Sequence, residues 1–337
     1  MKNILVTGGA GFIGSNFVRH MVKTYPQYHI VNFDILTYAG NLENIAEIEG
    51  CTNYSFIKGN IVDAHAVKQA MEAYQIDVIV NFAAESHVDR SMEDPGIFVQ
   101  TNVVGTQVLL EAARQYHVEK YLQVSTDEVY GTLGKEGLFS ETTPLAPNSP
   151  YSASKTGADL LVRAYYETYG LPANITRCSN NYGPYHFPEK LIPLVITNAM
   201  EDKEIPVYGD GLQVRDWLHV ADHCRAIDLV LHQGALGEVY NVGGNNERTN
   251  LHIVKVILEA LGKPESLIRH VADRLGHDRR YAIDAAKLKR ELGWQPKYTF
   301  ETGIKETVQW YLDHVEWWQR VKSGEYQAYY QKMYAGK

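Results

Sequence analysis

The chain has 337 residues, of which 45% are hydrophobic and 21% charged, an ordinary globular composition that allows one large or two medium domains. Its formal net charge is −8, which argues against nucleic acid as a partner, because phosphate contacts need clustered Lys and Arg. The one dense basic run, Arg269 to Arg280, also holds Asp273 and Asp278.

In the first half, short β-branched runs alternate with longer amphipathic segments. Strands are expected at Asn3–Thr7, His29–Phe33, Ser55–Lys58, Val78–Phe82, Lys120–Ser125 and Asn174–Arg177. Helices are expected between them, at Ala64–Tyr74, Val103–Tyr116 and Ser152–Tyr169. Such alternation predicts a parallel sheet with helices on both faces. Near-continuous apolar strands such as Val78–Val80 fit a sheet buried on both sides. After Cys178 the rhythm breaks, with Gly183-Pro184, Pro188, Pro193, Pro206, Gly209 and Gly211 in quick succession. We therefore expect residues 1–178 to form a dinucleotide-binding domain and 179–337 a second, smaller lobe, with some later segments packing back onto the first. The last thirty residues, with Trp310, Trp317, Trp318, Tyr326, Tyr329 and Tyr330 in or near them, suggest an amphipathic terminal helix and tail.

Lys2 leads straight into a short apolar run that ends at Gly8, unlike a signal peptide, and no apolar stretch approaches the ~20 residues of a membrane span. Cys51, Cys178 and Cys224 have no metal-like spacing and read as reduced, buried thiols. A soluble cytoplasmic protein without a metal, a membrane or a nucleic-acid partner is expected.

The first strand runs into Gly8-Gly9-Ala10-Gly11-Phe12-Ile13-Gly14 and then into helix-forming residues. Glycines here permit a tight turn and let backbone approach a pyrophosphate, while the helix N-terminus offers free N–H groups. A lone glycine motif is weak, but this one follows a strand and opens a helix. Asp34 ends the second strand, 20 residues beyond Gly14. A carboxylate there can accept from the adenosine ribose and repel a 2′-phosphate, so NAD is favoured over NADP.

Tyr151 and Lys155 form Tyr-x-x-x-Lys at the start of a helix, on one face. An ammonium beside a phenol favours the phenolate, a base able to take a proton from a sugar hydroxyl. Without the glycine motif the pair would read as an exposed helix face. Ser125-Thr126-Asp127-Glu128 follows a strand and so falls at the carboxyl edge of the sheet, where ligands bind. Most Asp-Glu pairs are solvated turns. In a site, however, adjacent carboxyls in different surroundings can become an acid and a base, which an elimination needs and a simple alcohol dehydrogenase does not.

With these motifs in view, the chain resembles the extended short-chain dehydrogenase/reductase family, and within it the 4,6-dehydratases that act on dTDP-glucose. The resemblance rests on Ala83–Ser91, Ser125–Gly131, Ser179–Tyr185, Pro188–Pro193 and Gly276–Tyr281. It implies an α/β fold, a Rossmann-type doubly wound parallel sheet with a smaller C-terminal substrate-binding α/β lobe, and a homodimer. It also implies a lyase that oxidises C4, eliminates water across C5 and C6 and returns hydride to C6. Tyr151, Lys155 and Thr126 would act at C4, Glu128 as base at C5 and Asp127 as acid at C6. NAD would be tightly held and regenerated in each turnover. By the same matching Gly8, Gly11, Phe12, Ile13, Gly14, Asp34, Thr37, Asn60, Ile61, Phe82, Ala83, Ala84, Ser86, Thr101, Tyr151, Lys155 and Asn181 would contact the cofactor. Ser86, Thr126, Asn180, Lys190, Leu191, Pro206, Tyr208, Arg215, Asn250, Asp273, Arg274 and His277 would contact the substrate, with Lys190, Arg215 and Arg274 suited to a diphosphate.

Two departures stand out: Asn60 where an acidic residue is more usual, and Leu275 where proline is frequent. His87 and His219 read as structural. The alternatives are a UDP-sugar 4-epimerase or decarboxylase of the same family, neither of which obviously needs both Asp127 and Glu128, and a catalytically silent NAD-binding regulator. Thymidine against uridine preference, and the deoxysugar pathway served (rhamnose or another), are not written in the residues.

Overall fold

The structure, a computed structural model, describes residues 2–273 and 277–323. Arg274, Leu275, Tyr326, Tyr329 and Tyr330 lie outside the described residues. The chain begins with β1 (Asn3–Thr7), α1 (Phe12–Thr24), β2 (His29–Asp34), β3 (Tyr54–Lys58), α2 (Ala64–Tyr74) and β4 (Val78–Asn81). Two short helices, α3 (Val88–Glu93) and α4 (Pro95–Phe98), a π-helical turn over Val99–Val104 and then α5 (Gly105–Gln115) lead to β5 (Lys120–Thr126). A 3-10 turn, Asp127–Tyr130, precedes α6 (Pro150–Tyr169), β6 (Ala173–Cys178) and β7 (Asn180–Tyr182).

The later half holds α7 (Leu191–Met200), β8 (Ile205–Tyr208), β9 (Val214–His219), α8 (Val220–Gln233), β10 (Val239–Val242), β11 (Glu247–Thr249) and α9 (Asn250–Leu261). It continues with β12 (Ile268–Val271), α10 (Ala286–Leu292), α11 (Phe300–Asp313) and α12 (Val315–Lys322).

Seven strands form one parallel sheet in the order β10-β6-β5-β4-β1-β2-β3. The order reverses between β1 and β4, and in such sheets ligands bind outside the carboxyl ends of the strands beside that reversal. Period-two side chains let the central strands face two cores. Ile4 and Val6 of β1 join one apolar cluster with Phe17, Val18, Ile227 and Val230, whereas Leu5 joins another with Leu109, Leu110 and Val162. Helices therefore cover both faces, in the manner expected of parallel sheets. A third core, built on Ile192, Val195, Trp217, Ile253, Ile257, Phe300, Trp317 and Trp318, lies in the later half.

That later half does not stay apart. β10 pairs in parallel with β6, Asn241 opposite Arg177, and α8 contributes Ala226, Ile227 and Val230 to the first sheet's core. Trp317 of α12 donates to Asn44 at 3.0 Å, and Asn44 donates to the Ala10 carbonyl in the glycine turn at 2.9 Å. The end of the described chain is thus fastened to its beginning. Where a continuous helix over Val103–Tyr116 is expected, the structure starts earlier and in pieces. Pro95 opens α4 behind Asp94, whose side chain caps the Ile97 N–H, and a π-turn intervenes before α5.

Candidate active site

At Gly8 and Gly14 the turn after β1 is held by backbone contacts that leave no room for side chains. Gly8 has φ +69°, and a Cβ there would lie 2.6 Å from the Ala83 nitrogen; one on Gly14 would lie 2.2 Å from the Gly8 carbonyl. These two glycines pack strand against helix. Gly11 differs, because a Cβ there would meet only the Gly8 carbonyl at 3.3 Å and the Ala39 carbonyl at 4.0 Å. Its missing side chain leaves space in the cavity that it lines. Gly11 also stands at the N-cap of α1 without any side-chain cap. The first N–H groups of that helix are therefore available to an anion. An open cradle at Gly11 beside uncapped helical N–H groups fits the pyrophosphate of a dinucleotide.

Asp34, at the end of β2, orders the next turn. Its two carboxylate oxygens accept from the Ala10 N–H at 2.9 Å and the Leu36 N–H at 2.8 Å. Burial raises its pKa, and those two backbone donors pull it back. The group still lines the cavity, where its remaining lone pairs suit ribose hydroxyls and its charge opposes a phosphate.

A cavity of about 380 Å³ runs along the carboxyl edge of the sheet. It is lined by every residue expected above to contact the cofactor, from Gly8 through Thr37, Asn60, Thr101 and Asn181, and by Thr126, Asp127 and Glu128. Of the residues expected to contact the substrate, Ser86, Thr126, Asn180, Lys190 and Leu191 also line it. Pro206, Tyr208, Arg215, Asn250, Asp273 and His277 are not among its lining residues. They cluster instead around β8, β9 and the segment after β12. There the Tyr208 hydroxyl donates to Asp89 at 3.2 Å, His277 and Asp273 pair at 2.6 Å, and Arg215 donates to the Asp278 carbonyl at 2.9 Å.

Several lining residues escaped the reading of the sequence. Tyr38 carries the Arg90 guanidinium over its ring at 4.0 Å, and His186 stacks on Phe12 with ring centroids 4.1 Å apart; neither bears a local signal. Cys178 could have been found, since it ends β6 at the same sheet edge as Thr126, its register partner. Of the two histidines read as structural, His219 caps α8 by accepting from the Ala221 N–H at 3.3 Å. His87 lines the cavity, 3.4 Å from the Glu189 carboxylate.

Tyr151 sits in the first turn of α6, behind Pro150 at N1 and a Ser149–Ser152 capping box. Lys155 follows one turn later and donates to the Val124 carbonyl of β5 at 2.8 Å. Both are buried, at 9% and 4% exposure. The phenol departs from the simple expectation of a lowered pKa. Burial pushes it well above its ordinary value, Glu128 and Cys178 add to that, and a hydrogen bond with Thr126 opposes it. Thr126 thus serves both halves of the site, because its Oγ also accepts the Glu128 N–H at 3.2 Å as cap of the 3-10 turn.

The two adjacent carboxyls live in different surroundings. Asp127 is 1% exposed. Burial raises its pKa well above the carboxylate range; Glu128 and Asp216 add to this, against the Arg215 guanidinium and the Thr126 hydroxyl. Glu128 is only half-buried. One buried carboxyl biased towards its protonated form beside a second, partly solvated one is the arrangement that separates an acid from a base.

A doubly wound sheet with a glycine turn, and a Tyr-x-x-x-Lys helix lining the same cavity, is the architecture of the extended short-chain dehydrogenases/reductases. The model of the GDP-mannose 4,6 dehydratase family matches residues 5–307, and the chain belongs to that family. A curated relative, the dTDP-glucose 4,6-dehydratase of Xanthomonas campestris pv. campestris (strain B100), is 58% identical over 344 residues, 97% of each chain. The solved dTDP-glucose 4,6-dehydratase of Bacillus anthracis str. Ames, in complex with NAD, is 58% identical. It superposes with a TM-score of 0.90 over 96% of this chain and 100% of that one. The dTDP-glucose 4,6-dehydratase of Streptomyces venezuelae, solved with NAD bound, gives 0.92 at 49% identity over 95% and 100%.

Proposed function

We propose that this chain is a hydro-lyase that converts dTDP-glucose to dTDP-4-keto-6-deoxyglucose with NAD as a retained cofactor. The observation that carries the reading is the split carboxyl pair, Asp127 sealed and raised, Glu128 half-open, in the same cavity as Tyr151 and Lys155. Full-length identity above 50% to proteins of that activity supports it.

NAD supplies the hydride acceptor for C4 and the donor for C6. The chain supplies everything else. Gly11 and the first turn of α1 hold the pyrophosphate, and Asp34 the adenosine ribose. Tyr151, hydrogen-bonded with Thr126 and supported by Lys155, takes the proton of the C4 hydroxyl as that carbon is oxidised. The new ketone acidifies C5–H, whose proton passes to Glu128. Asp127 gives its proton to the C6 hydroxyl, which leaves as water, and Glu128 returns its proton to C5 as C6 takes up hydride. A buried phenol is a stronger base once ionised, and a buried carboxyl is easily kept as an acid; both follow from the same exclusion of water.

Lys190, at the cavity wall, suits the substrate diphosphate, and the part of the later half built around β8, β9 and α9 supplies the nucleoside end. Arg215, Tyr208, Asn250, Asp273 and His277 would reach it there. We take the protein to act in the cytoplasm, and as a homodimer. Val99 of the π-helical turn and Leu160 of α6, exposed at 49% and 53%, are suitable apolar contacts for a second copy. No helix among the described residues is long and apolar enough to cross a membrane.

The test is incubation of the purified protein with dTDP-glucose, and separately with UDP-glucose, without added cofactor. Loss of one water from the dTDP sugar is the expected result. An unchanged mass with an epimerised sugar would move the activity to the epimerases, and inertness towards both sugars would refute the substrate assignment.

A further inference from the structure

We propose that Asp159, Arg177 and Tyr130 form a positioning network that ties Lys155 to the Asp127–Glu128 turn, an inference that rests on the dehydratase reading. None of the three lines the cavity, so none is a substrate contact. All are buried, at 1%, 5% and 3% exposure. Asp159 stands one turn beyond Lys155 on α6, the spacing that puts two side chains on one face. Its Oδ2 accepts from Arg177 Nε at 2.8 Å, and its Oδ1 has no hydrogen-bond partner among the described residues. Arg177 belongs to β6, between Ser125 of β5 and Asn241 of β10 in register. Its Nη1 donates to the Tyr130 hydroxyl at 3.0 Å, and that hydroxyl donates to Asn241 Oδ1 at 2.8 Å. Tyr130 closes the 3-10 turn that carries Asp127 and Glu128.

The network therefore joins the element that serves the C4 oxidation to the element that serves the elimination. A buried ion pair is poor evidence for stability, because desolvation offsets its attraction; its placement calls for another reason. Lys155 gives one. Burial disfavours its ammonium, while the Asp159 carboxylate, with Cys178, favours it. Asp159 and Cys178 are the titratable groups that act on it, and the Arg177 guanidinium lies behind Asp159. Asp159 thus opposes the loss of that charge, and Tyr130 fixes the acid–base turn relative to α6.

Asp159→Asn removes the charge and keeps the shape. Loss of a carboxylate beside a cation lowers that cation's pKa, so the alkaline limb of the kcat/KM profile should move down by about 1 pH unit or more. Asp159→Glu should restore it in part. Tyr130→Phe removes one oxygen and the two bonds it makes, and remains informative even if the Asp159 variants fail to fold. In single-turnover experiments it should slow water loss about tenfold or more while leaving C4 oxidation and KM near those of the unaltered chain. Reduced cofactor would then accumulate in the near-ultraviolet spectrum. A merely structural network would lower the whole pH profile with its limbs in place and slow both phases together. That outcome, or no change in either variant, overturns the proposal. Absence of turnover in the unaltered chain would overturn the dehydratase reading and this inference with it.

Discussion

Asp127 and Glu128 are one peptide bond apart, yet the fold separates them in burial. Asp127→Asn keeps the size and loses the proton of the proposed acid, and Glu128→Gln removes the proposed base. Each should cost about 10²–10⁴-fold in kcat, the usual range for a displaced acid or base, and the double variant should largely abolish dehydration with NAD still bound. Cofactor content of the purified variants and product mass check this; loss of NAD binding instead would mean that the pair holds the cofactor. The adjacency of two carboxyls at a strand end was legible in the sequence. Which of them would be sealed was not, because the raised pKa of Asp127 depends on burial and on Asp216, a residue of β9 far along the chain. The same holds for Tyr151, whose motif is local but whose burial is tertiary.

The glycine turn divides into two tasks, and single alanines should separate them. Gly14→Ala forces a Cβ to 2.2 Å from the Gly8 carbonyl. Such overpacking costs about 1–3 kcal/mol, visible as a lowered denaturation midpoint. Gly11→Ala meets the Gly8 carbonyl at 3.3 Å, a tight contact that a small shift relieves, so its stability loss should be the smaller of the two while retained NAD falls. Equal stability losses in the two variants would contradict this division. Strands β1 to β6 were readable as short runs with apolar or β-branched residues set between helical segments, and β4, β5 and β6 are buried along their whole length. β10 was not, since Val239–Val242 is four residues long and becomes a strand only by pairing with β6. The break before α5 was missed for a similar reason: the apolar period continues through a π-turn whose hydrogen bonds differ from those of an α-helix.

Across the molecule, buried neutral histidines set an acid limit. Burial lowers the pKa of His219 to about 4 and of His223 to about 3. The unfolded chain takes up protons near the ordinary value of about 6.5, before the folded one does. Their contribution is therefore complete above that pH and is lost as pH falls towards the folded values, with a slope approaching about 1.4 kcal/mol per pH unit for each. Denaturant titrations between neutrality and pH 5 should show this fall, and His223→Asn should make it shallower. An identical slope in the variant would refute it. His223 also pairs with Asn181 in the cavity wall at 2.9 Å, so the same acidification should loosen the site.

The sequence by itself determined the sheet-and-helix alternation, the glycine turn, Asp34 at the end of its strand, and the Tyr151–Lys155 and Asp127–Glu128 pairs, because each is a pattern within a few neighbouring residues. The tertiary structure decided which strands of the later half joined the first sheet, which carboxyl was sealed, and which side chains, such as Tyr38 and His186, closed the cavity. It also decided that Asp159, Arg177 and Tyr130, spread over 48 positions, would meet behind the site. Burial and pairing between distant segments belong to the packed chain, and no local pattern encodes them.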